Sequence, residues 1–298
     1  MGFHAIVNKI IRHGSFVFAV AILALGIENV VNSWLGLFET NHYEGHLTLS
    51  VIPWLPAVPG LGYLMGLFLI AAALSFVANY HARTMALLLG SIFVLRMLFR
   101  IGSIYVERTV AFEQLAIAGA AFTLACTLTC HEHYLQPGFE VLDKLARSGR
   151  YMFAVSCVVF GVDHFQFLTF VANIIPFWIP WHRFWTALTG AGFIATGLCF
   201  MAAGISSRFR SLARLAGFLL GVMFALWFVL LHAPRVLGLL AVPGKIAPLD
   251  PNEWSSAFIA LAMCGGSWIC AWAFARETCS ARRLREERAP EPALANSQ

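Results

Sequence analysis

Eight long runs of apolar residues constrain this chain more than any other feature of its sequence. A helix that crosses about 30 Å of hydrocarbon needs roughly 20 mostly apolar residues, and each run approaches that length. The runs are continuous instead of alternating in polarity at every second residue, which excludes a transmembrane β-barrel. We therefore predict eight transmembrane helices, called the first to eighth spans, at 14–34, 58–80, 84–104, 110–130, 150–171, 184–205, 212–231 and 255–274.

The composition excludes the other common protein classes. Charged residues form 12% of the 298 positions, against about 25% in soluble domains. Hydrophobic residues reach 59%, which is too many for a disordered chain, and seven scattered cysteines do not form the framework of a secreted disulfide protein. The predicted fold class is all-α, a polytopic membrane protein whose surroundings are the lipid bilayer.

The distribution of positive charge predicts how the chain is oriented. Lys and Arg near the spans are retained on the cytoplasmic side, and most of the 20 Lys and Arg residues fall on one side of the predicted spans. Both termini are therefore predicted to be cytoplasmic, in the inner membrane of a bacterial-type cell. The net charge of +5 is explained by this bias, and no basic stripe on a soluble surface supports a nucleic-acid partner.

The sequence is predicted to contain the same four-span unit twice. The loop Trp54-Leu55-Pro56 recurs as Trp178-Ile179-Pro180. Residues of all four spans recur in the same order: Gly14, Phe18 and Gly26 as Gly149, Phe153 and Gly161; Leu64, Gly66 and Ile70 as Leu188, Gly190 and Ile194; Gly90, Phe93 and Leu95 as Gly221, Phe224 and Leu226; Leu115, Ala116 and Gly119 as Leu261, Ala262 and Gly265. We expect two four-helix bundles, 1–135 and 136–275, followed by a basic, disordered cytoplasmic tail at 276–298.

Because each unit has an even number of spans, both enter the bilayer in the same direction. Such units are parallel repeats, related by an axis along the membrane normal. The shared small residues, such as Gly66 and Gly190, are interpreted as positions where helices pack closely.

Ionisable residues inside the spans are the candidate functional groups, because a charge in hydrocarbon is costly. Glu28 and Asp163 occupy equivalent places late in the first and fifth spans, and His164 follows Asp163. Candidate counter-charges at the same depth lie on the third and seventh spans: Arg96, Arg100, His232 and Arg235. We predict that acid and base meet within one bundle.

These residues predict an outward-opening polar pocket in the second unit. Its candidate catalytic residues are Asp163, His164 and His232, and its candidate ligand-binding residues, with those of the first unit, are Glu28, Trp54, Arg96, Arg100, Trp178 and Arg235. The alternative is that buried ion pairs fix the register of the helices and that the tryptophans anchor the chain at the membrane interface.

A metal site is not predicted. Cys126 and Cys130 lie on one helix face and are followed by His131 and His133, residue types that bind zinc or copper. No Cys-x-x-Cys pair accompanies them, and both thiols are also explained as apolar helix residues.

The motifs of the second unit resemble the DoxX-like family of membrane proteins. They are the acid and histidine late in the first helix (Asp163-His164), the Trp-x-Pro loop, a Thr-Gly turn (Leu188-Thr189-Gly190), the helix end His232-Ala233-Pro234-Arg235, and the Leu-Ala-x-x-Gly-Gly pattern that begins at Leu261. The resemblance covers 147–275. The first unit departs from it, with Asn29 in place of the histidine and Met65 in place of the threonine.

This resemblance implies a subunit of a quinone-dependent oxidoreductase in sulfur metabolism or oxidant defence. Asp163, His164 and Arg235 would then hold and protonate a quinone, the implied ligand, or its reductant. The partners would be other membrane or periplasmic redox subunits or further copies of the chain. Two other functions remain open at this point: a non-catalytic scaffold in a membrane complex, and a small-solute or proton-coupled transporter.

Overall fold

The computed structural model describes residues 2–35, 60–99, 108–128, 140–239 and 251–287, and all regular secondary structure within them is helical. The α-helices are α1 (Phe3–Ile11), α2 (Gly14–Trp34), α3 (Leu61–Ala78), α4 (Ala82–Phe99), α5 (Arg108–Thr127), α6 (Glu140–Gln166), α7 (Leu168–Ile174), α8 (His182–Ile205), α9 (Arg210–Trp227), α10 (Ala233–Val236) and α11 (Pro251–Glu287). The prediction of an all-α chain is confirmed for these residues.

Most of the predicted spans correspond to helices that can cross a bilayer. Within the described residues, seven helical segments are long and apolar enough to span, and a bent pair formed by α6 and α7 brings the number up to eight. Many large apolar side chains on these helices, including Leu64, Leu67, Leu198 and Leu226, are exposed on the outside of the bundle. Such a surface is stable only against lipid, so the chain is a multi-pass membrane protein.

Helices α5 and α11 form the centre of the bundle. Their apolar windows are each 72% buried, whereas those of the other single spanning segments are 22–44% buried. Helix α5 packs against α4 and α6, α11 packs against α9 and α2, and the two central helices pack against each other. One hydrophobic core contains residues from both 1–135 and 136–275, so the two predicted units pack against each other.

Glycines allow α5 and α6 to approach closely. A Cβ atom on Gly149 would lie 2.5 Å from the Gly119 carbonyl oxygen and 2.6 Å from the Thr123 amide nitrogen. These are backbone atoms, so a side chain at Gly149 can be accommodated only if the two helices separate.

The predicted fifth span, 150–171, is not one straight helix. Helix α6 ends at Gln166, and α7 leaves it at an angle of 92°. Phe167 lies at the break, with φ −109° and ψ 33°. The seventh span is also irregular, because a π-helical turn, Phe228–His232, follows α9. Breaks of both kinds are found at functional sites in helical proteins.

Helix α11 extends into the region predicted as a basic, disordered tail, 276–298. Helix α11 continues to Glu287, and 288–298 lie outside the described residues. The Glu277 carboxylate contacts Arg150 at 2.6 Å and Arg210 at 3.1 Å, and the Arg276 guanidinium donates to the Thr127 carbonyl oxygen. These contacts hold α11, at residues 276 and 277, against α5, α6 and α9.

Replacing Glu277 with Gln is expected to destabilise the bundle by up to about 1 kcal/mol, because the carboxylate is one-third exposed and the pair is screened by solvent. Thermal unfolding in detergent at low and high salt measures the change. Arg208→Gln is the matched control, since this exposed arginine has no carboxylate partner among the described residues. Equal melting temperatures for wild type and Glu277→Gln at low salt would contradict the prediction.

Candidate functional site

Polar and charged side chains meet at one end of the bundle, where α2 and α6 end and α5 and α11 begin. Ser255 Oγ, near the start of α11, donates to Glu28 Oε1, near the end of α2. Arg108, at the start of α5, pairs with Asp163, near the end of α6. In both cases the acid receives its hydrogen bond from a helix of the other predicted unit.

Asp163 is held by two residues of α5. Its side chain is 8% exposed, forms an ion pair with Arg108 and accepts a hydrogen bond from Thr109 Oγ1 at 3.0 Å. Arg108 also donates to Gln166 Oε1 at 2.6 Å. It therefore contacts the last turn of α6, just before the bend. The predicted partners within the same unit, His232 and Arg235, are not the groups that pair with Asp163.

His164 lies among aromatic side chains. Its Nδ1 donates to the Phe160 carbonyl oxygen at 2.7 Å, one helical turn earlier. The imidazole stacks on Trp227, with ring centroids 5.4 Å apart and planes 19° apart, and contacts Phe193 at 5.2 Å. The residue is 9% exposed, and its Nε2 is buried with no hydrogen-bond partner among the described residues.

Arg235 joins three elements on the other side of the bend. Its guanidinium donates to the Ile174 carbonyl oxygen at 2.9 Å, at the end of α7, and lies 3.7 Å from the Glu253 carboxylate of α11. His232, in the π-helical turn, has a buried Nδ1 with no hydrogen-bond partner within the described part of the chain. Trp178 is 54% exposed in the turn between α7 and α8, as an interfacial side chain is.

The predicted residues of the first unit are only partly described. Arg96 is 4% exposed, and its guanidinium lies over the Phe93 ring at 5.3 Å. Glu28 is 9% exposed. Trp54 and Arg100 lie outside the described residues.

The cysteine and histidine motif near the end of α5 is described only at Cys126, which is half-buried. Cys130, His131 and His133 lie outside the described residues. Within the described ranges, no group of three or more His, Cys, Asp or Glu side chains is placed to hold a metal ion.

Sequence reasoning missed three residues of this site: Arg108, Thr109 and Trp227. Arg108 lies outside the predicted spans, and Thr109 carries no charge. Trp227 was one apolar residue of the seventh span. The position of Arg108 and Thr109 immediately before the predicted fourth span, 110–130, is the signal that could have identified them, because polar side chains at a helix end can reach the neighbouring helix end.

Comparisons of the chain with family models, with curated proteins and with solved structures give no match.

Proposed function

We propose that the chain is a DoxX-like membrane protein built from two four-helix units, 1–135 and 136–275. Contacts that recur at aligned positions support this duplication. A Cβ on Gly26 of α2 would lie 2.9 Å from the Gly66 carbonyl oxygen of α3, and a Cβ on Gly161 of α6 would lie 2.6 Å from the Gly190 carbonyl oxygen of α8. The first and second helices of each unit therefore approach at the same pair of glycines.

Contacts between the units support the same proposal. A Cβ on Gly14 would lie 2.7 Å from the Ile269 amide nitrogen, and one on Gly149 would lie 2.6 Å from the Thr123 amide nitrogen. Gly14 aligns with Gly149, and Thr123 aligns with Ile269. The first helix of each unit thus packs on the fourth helix of the other, as an approximate two-fold axis requires.

The polar contacts of the two acids follow the same pattern. Glu28 aligns with Asp163, and Thr109 aligns with Ser255 in the alignment that pairs Gly119 with Gly265. Each acid accepts a hydrogen bond from the aligned hydroxyl of the opposite unit. With the charge bias of the sequence, we propose that both termini are cytoplasmic and that this acid-bearing end faces outward from a bacterial-type inner membrane.

We further propose that the second unit binds a quinone-type ligand beside His164, as part of quinone-linked redox chemistry. The observation that carries this function is the stacked pair of His164 and Trp227, with the buried imidazole Nε2 left without a partner. Stacked aromatic rings bind a planar ring on its face, and an unsatisfied buried polar atom gains from any ligand that satisfies it. Trp227 is half-buried, so a lipophilic ring can approach from the bilayer.

Replacing His164 with Ala is expected to remove the co-purifying quinone-type ligand, counted as quinone plus quinol, because both a stacking face and a hydrogen-bonding atom are lost. Mass spectrometry of lipid extracts from equal amounts of purified protein measures it, with a loss of at least about tenfold expected for one hydrogen bond and its stacking. His182→Ala is the control, since this histidine lies at the start of α8 and already bonds the Pro176 carbonyl oxygen at 3.2 Å. Wild-type protein without either form of the ligand, or equal amounts of ligand in the two variants, contradicts the proposal.

A scaffold function is the second candidate, and the Arg108 and Asp163 pair favours it. The acid is almost fully buried and hydrogen-bonded by two residues of α5, which is how an ion pair fixes helix register. If the protein is a scaffold, the amount of co-purifying ligand should be the same in wild type and in His164→Ala. The same experiment therefore separates the two functions.

Transport is the third candidate, favoured by the bend. Helices broken inside the membrane form binding sites in many transporters, and α6 breaks by 92° at Phe167. Ligand-dependent uptake by proteoliposomes, absent from empty liposomes, would support transport over the other two functions.

A further inference from the structure

We propose that the His164 site binds a ligand hydroxyl, so that the reduced quinol form and not the quinone is its preferred ligand. This inference rests on the proposed quinone-type site and adds the chemical form of the ligand. It depends on which nitrogen of the imidazole carries a proton, and the hydrogen bond to the backbone decides that.

The Phe160 carbonyl oxygen can only accept a hydrogen bond. His164 Nδ1, 2.7 Å away, therefore carries the proton and donates it. An apolar site such as this one, with Phe193 and Trp227 against the ring, stabilises the uncharged imidazole. In the uncharged ring a proton on Nδ1 leaves a lone pair on Nε2, so the free atom is an acceptor.

A quinone offers only carbonyl oxygens, which are acceptors as well. Two acceptors cannot form a hydrogen bond, and a buried acceptor facing another is left unsatisfied. A quinol offers the same planar ring with hydroxyl groups that donate. His164 Nε2 is thus matched to the reduced form, while Trp227 and Phe193 contact the ring of either form.

The first unit has the same arrangement at the aligned position. Asn29 Nδ2 donates to the Leu25 carbonyl oxygen at 2.7 Å, one helical turn earlier, as His164 does to Phe160. Asn29 Oδ1 is then left as a buried acceptor with no hydrogen-bond partner among the described residues. Both units therefore present a free acceptor at this place, which indicates that the acceptor role, and not the imidazole itself, is what the two positions share.

The surroundings of the two acceptors differ. The position in the first unit that aligns with Trp227 is occupied by Arg96, so the first unit lacks the indole on which a ring would stack. We therefore assign the aromatic quinol to the second unit alone, with one ligand per chain.

The test compares three ligands that share one ring: a short-chain quinol, its quinone and its dimethyl ether. The whole chain is placed in nanodiscs, and each ligand is added under anaerobic conditions. Mass spectrometry then measures the amount of ligand retained, from which the amount retained by empty nanodiscs is subtracted. The quinol is expected to bind about tenfold more tightly than the ether, the difference that one hydrogen bond makes. The quinone is expected to bind as weakly as the ether.

His164→Phe is the decisive variant, because phenylalanine keeps a ring against Trp227 and removes the acceptor. We expect it to bind all three ligands with the affinity that wild type has for the ether. Asn29→Leu is the matched control, which removes the equivalent acceptor of the first unit and is expected to keep the quinol preference. Circular dichroism and thermal unfolding confirm that both variants are folded.

The outcomes separate this inference from the proposed function. If none of the three ligands binds above empty nanodiscs, the quinone-type site itself is wrong. If they bind but the quinone or ether matches the quinol, or if His164→Phe keeps the preference, the site stands and the hydroxyl assignment is overturned. If Asn29→Leu loses the preference for the quinol while His164→Phe keeps it, the acceptor lies in the first unit. That result would also overturn the assignment to His164.

Discussion

Replacing Gly149 with Ala is expected to destabilise the folded bundle by about 3 kcal/mol or more, the upper end of the usual cost of overpacking. The added Cβ would lie 2.5 Å from the Gly119 carbonyl oxygen and 2.6 Å from the Thr123 amide nitrogen. Both atoms belong to the backbone of the central helix α5, which is packed on three sides by α4, α6 and α11. The contact cannot relax by rotation of a side chain, so α6 must move away from α5.

Gly192→Ala is the control of identical chemistry. A Cβ at Gly192, in α8, would meet nothing within 4 Å, and Ala favours a helix over Gly by roughly 1 kcal/mol. The two substitutions are therefore expected to change stability in opposite directions. Size-exclusion profiles and thermal unfolding of the detergent-solubilised proteins measure the change, and a Gly149→Ala protein as stable as wild type would contradict the close approach of α5 and α6.

Replacing Arg108 with Gln is expected to destabilise the protein by about 2 kcal/mol. Removing one partner of a fully buried ion pair costs about 3–5 kcal/mol, and we reduce this because the Arg108 side chain is 34% exposed and solvent screens it. The variant leaves the Asp163 carboxylate, 8% exposed, with Thr109 as its hydrogen-bond donor.

The double variant Arg108→Gln, Asp163→Asn is expected to be more stable than Arg108→Gln alone, because no unpaired carboxylate remains. The double-mutant cycle, measured by thermal unfolding at one ionic strength, gives the coupling energy directly. Additive effects of the two single variants would contradict the ion pair. The amount of quinone-type ligand that co-purifies with the same variants shows whether this ion pair also affects ligand binding or only the stability of the bundle.

The apolar runs of the sequence predicted the spans well, because the length of a membrane helix is set by the thickness of the bilayer and not by its neighbours. The predicted spans and the observed helices differ where tertiary contacts override the local hydropathy pattern. The fifth span is apolar through Val171, yet the helix breaks at Phe167. Arg108 holds Gln166 before this break and Arg235 holds Ile174 after it, and neither contact is visible in a hydropathy pattern.

The candidate site shows the same division. Hydropathy and charge identified Asp163 and His164 as unusual residues inside a span, and the structure buries both. Their partners were not predicted, because Arg108 and Trp227 come from α5 and α9, far away in sequence. The sequence predicted that acid and base meet within one bundle, whereas Asp163 of α6 pairs with Arg108 of α5, and α2 packs on α11.

The sequence by itself determined that this chain is a helical membrane protein, since 59% hydrophobic residues in continuous runs leave a bilayer as the only stable surroundings. It also identified the ionisable residues that lie within the predicted spans. Only the tertiary structure decided which residues these groups contact and which imidazole nitrogen of His164 is free. The physical reason is that the length of an apolar run is a property of one helix alone. Ion pairs, ring stacking and close glycine contacts depend instead on which helices become neighbours.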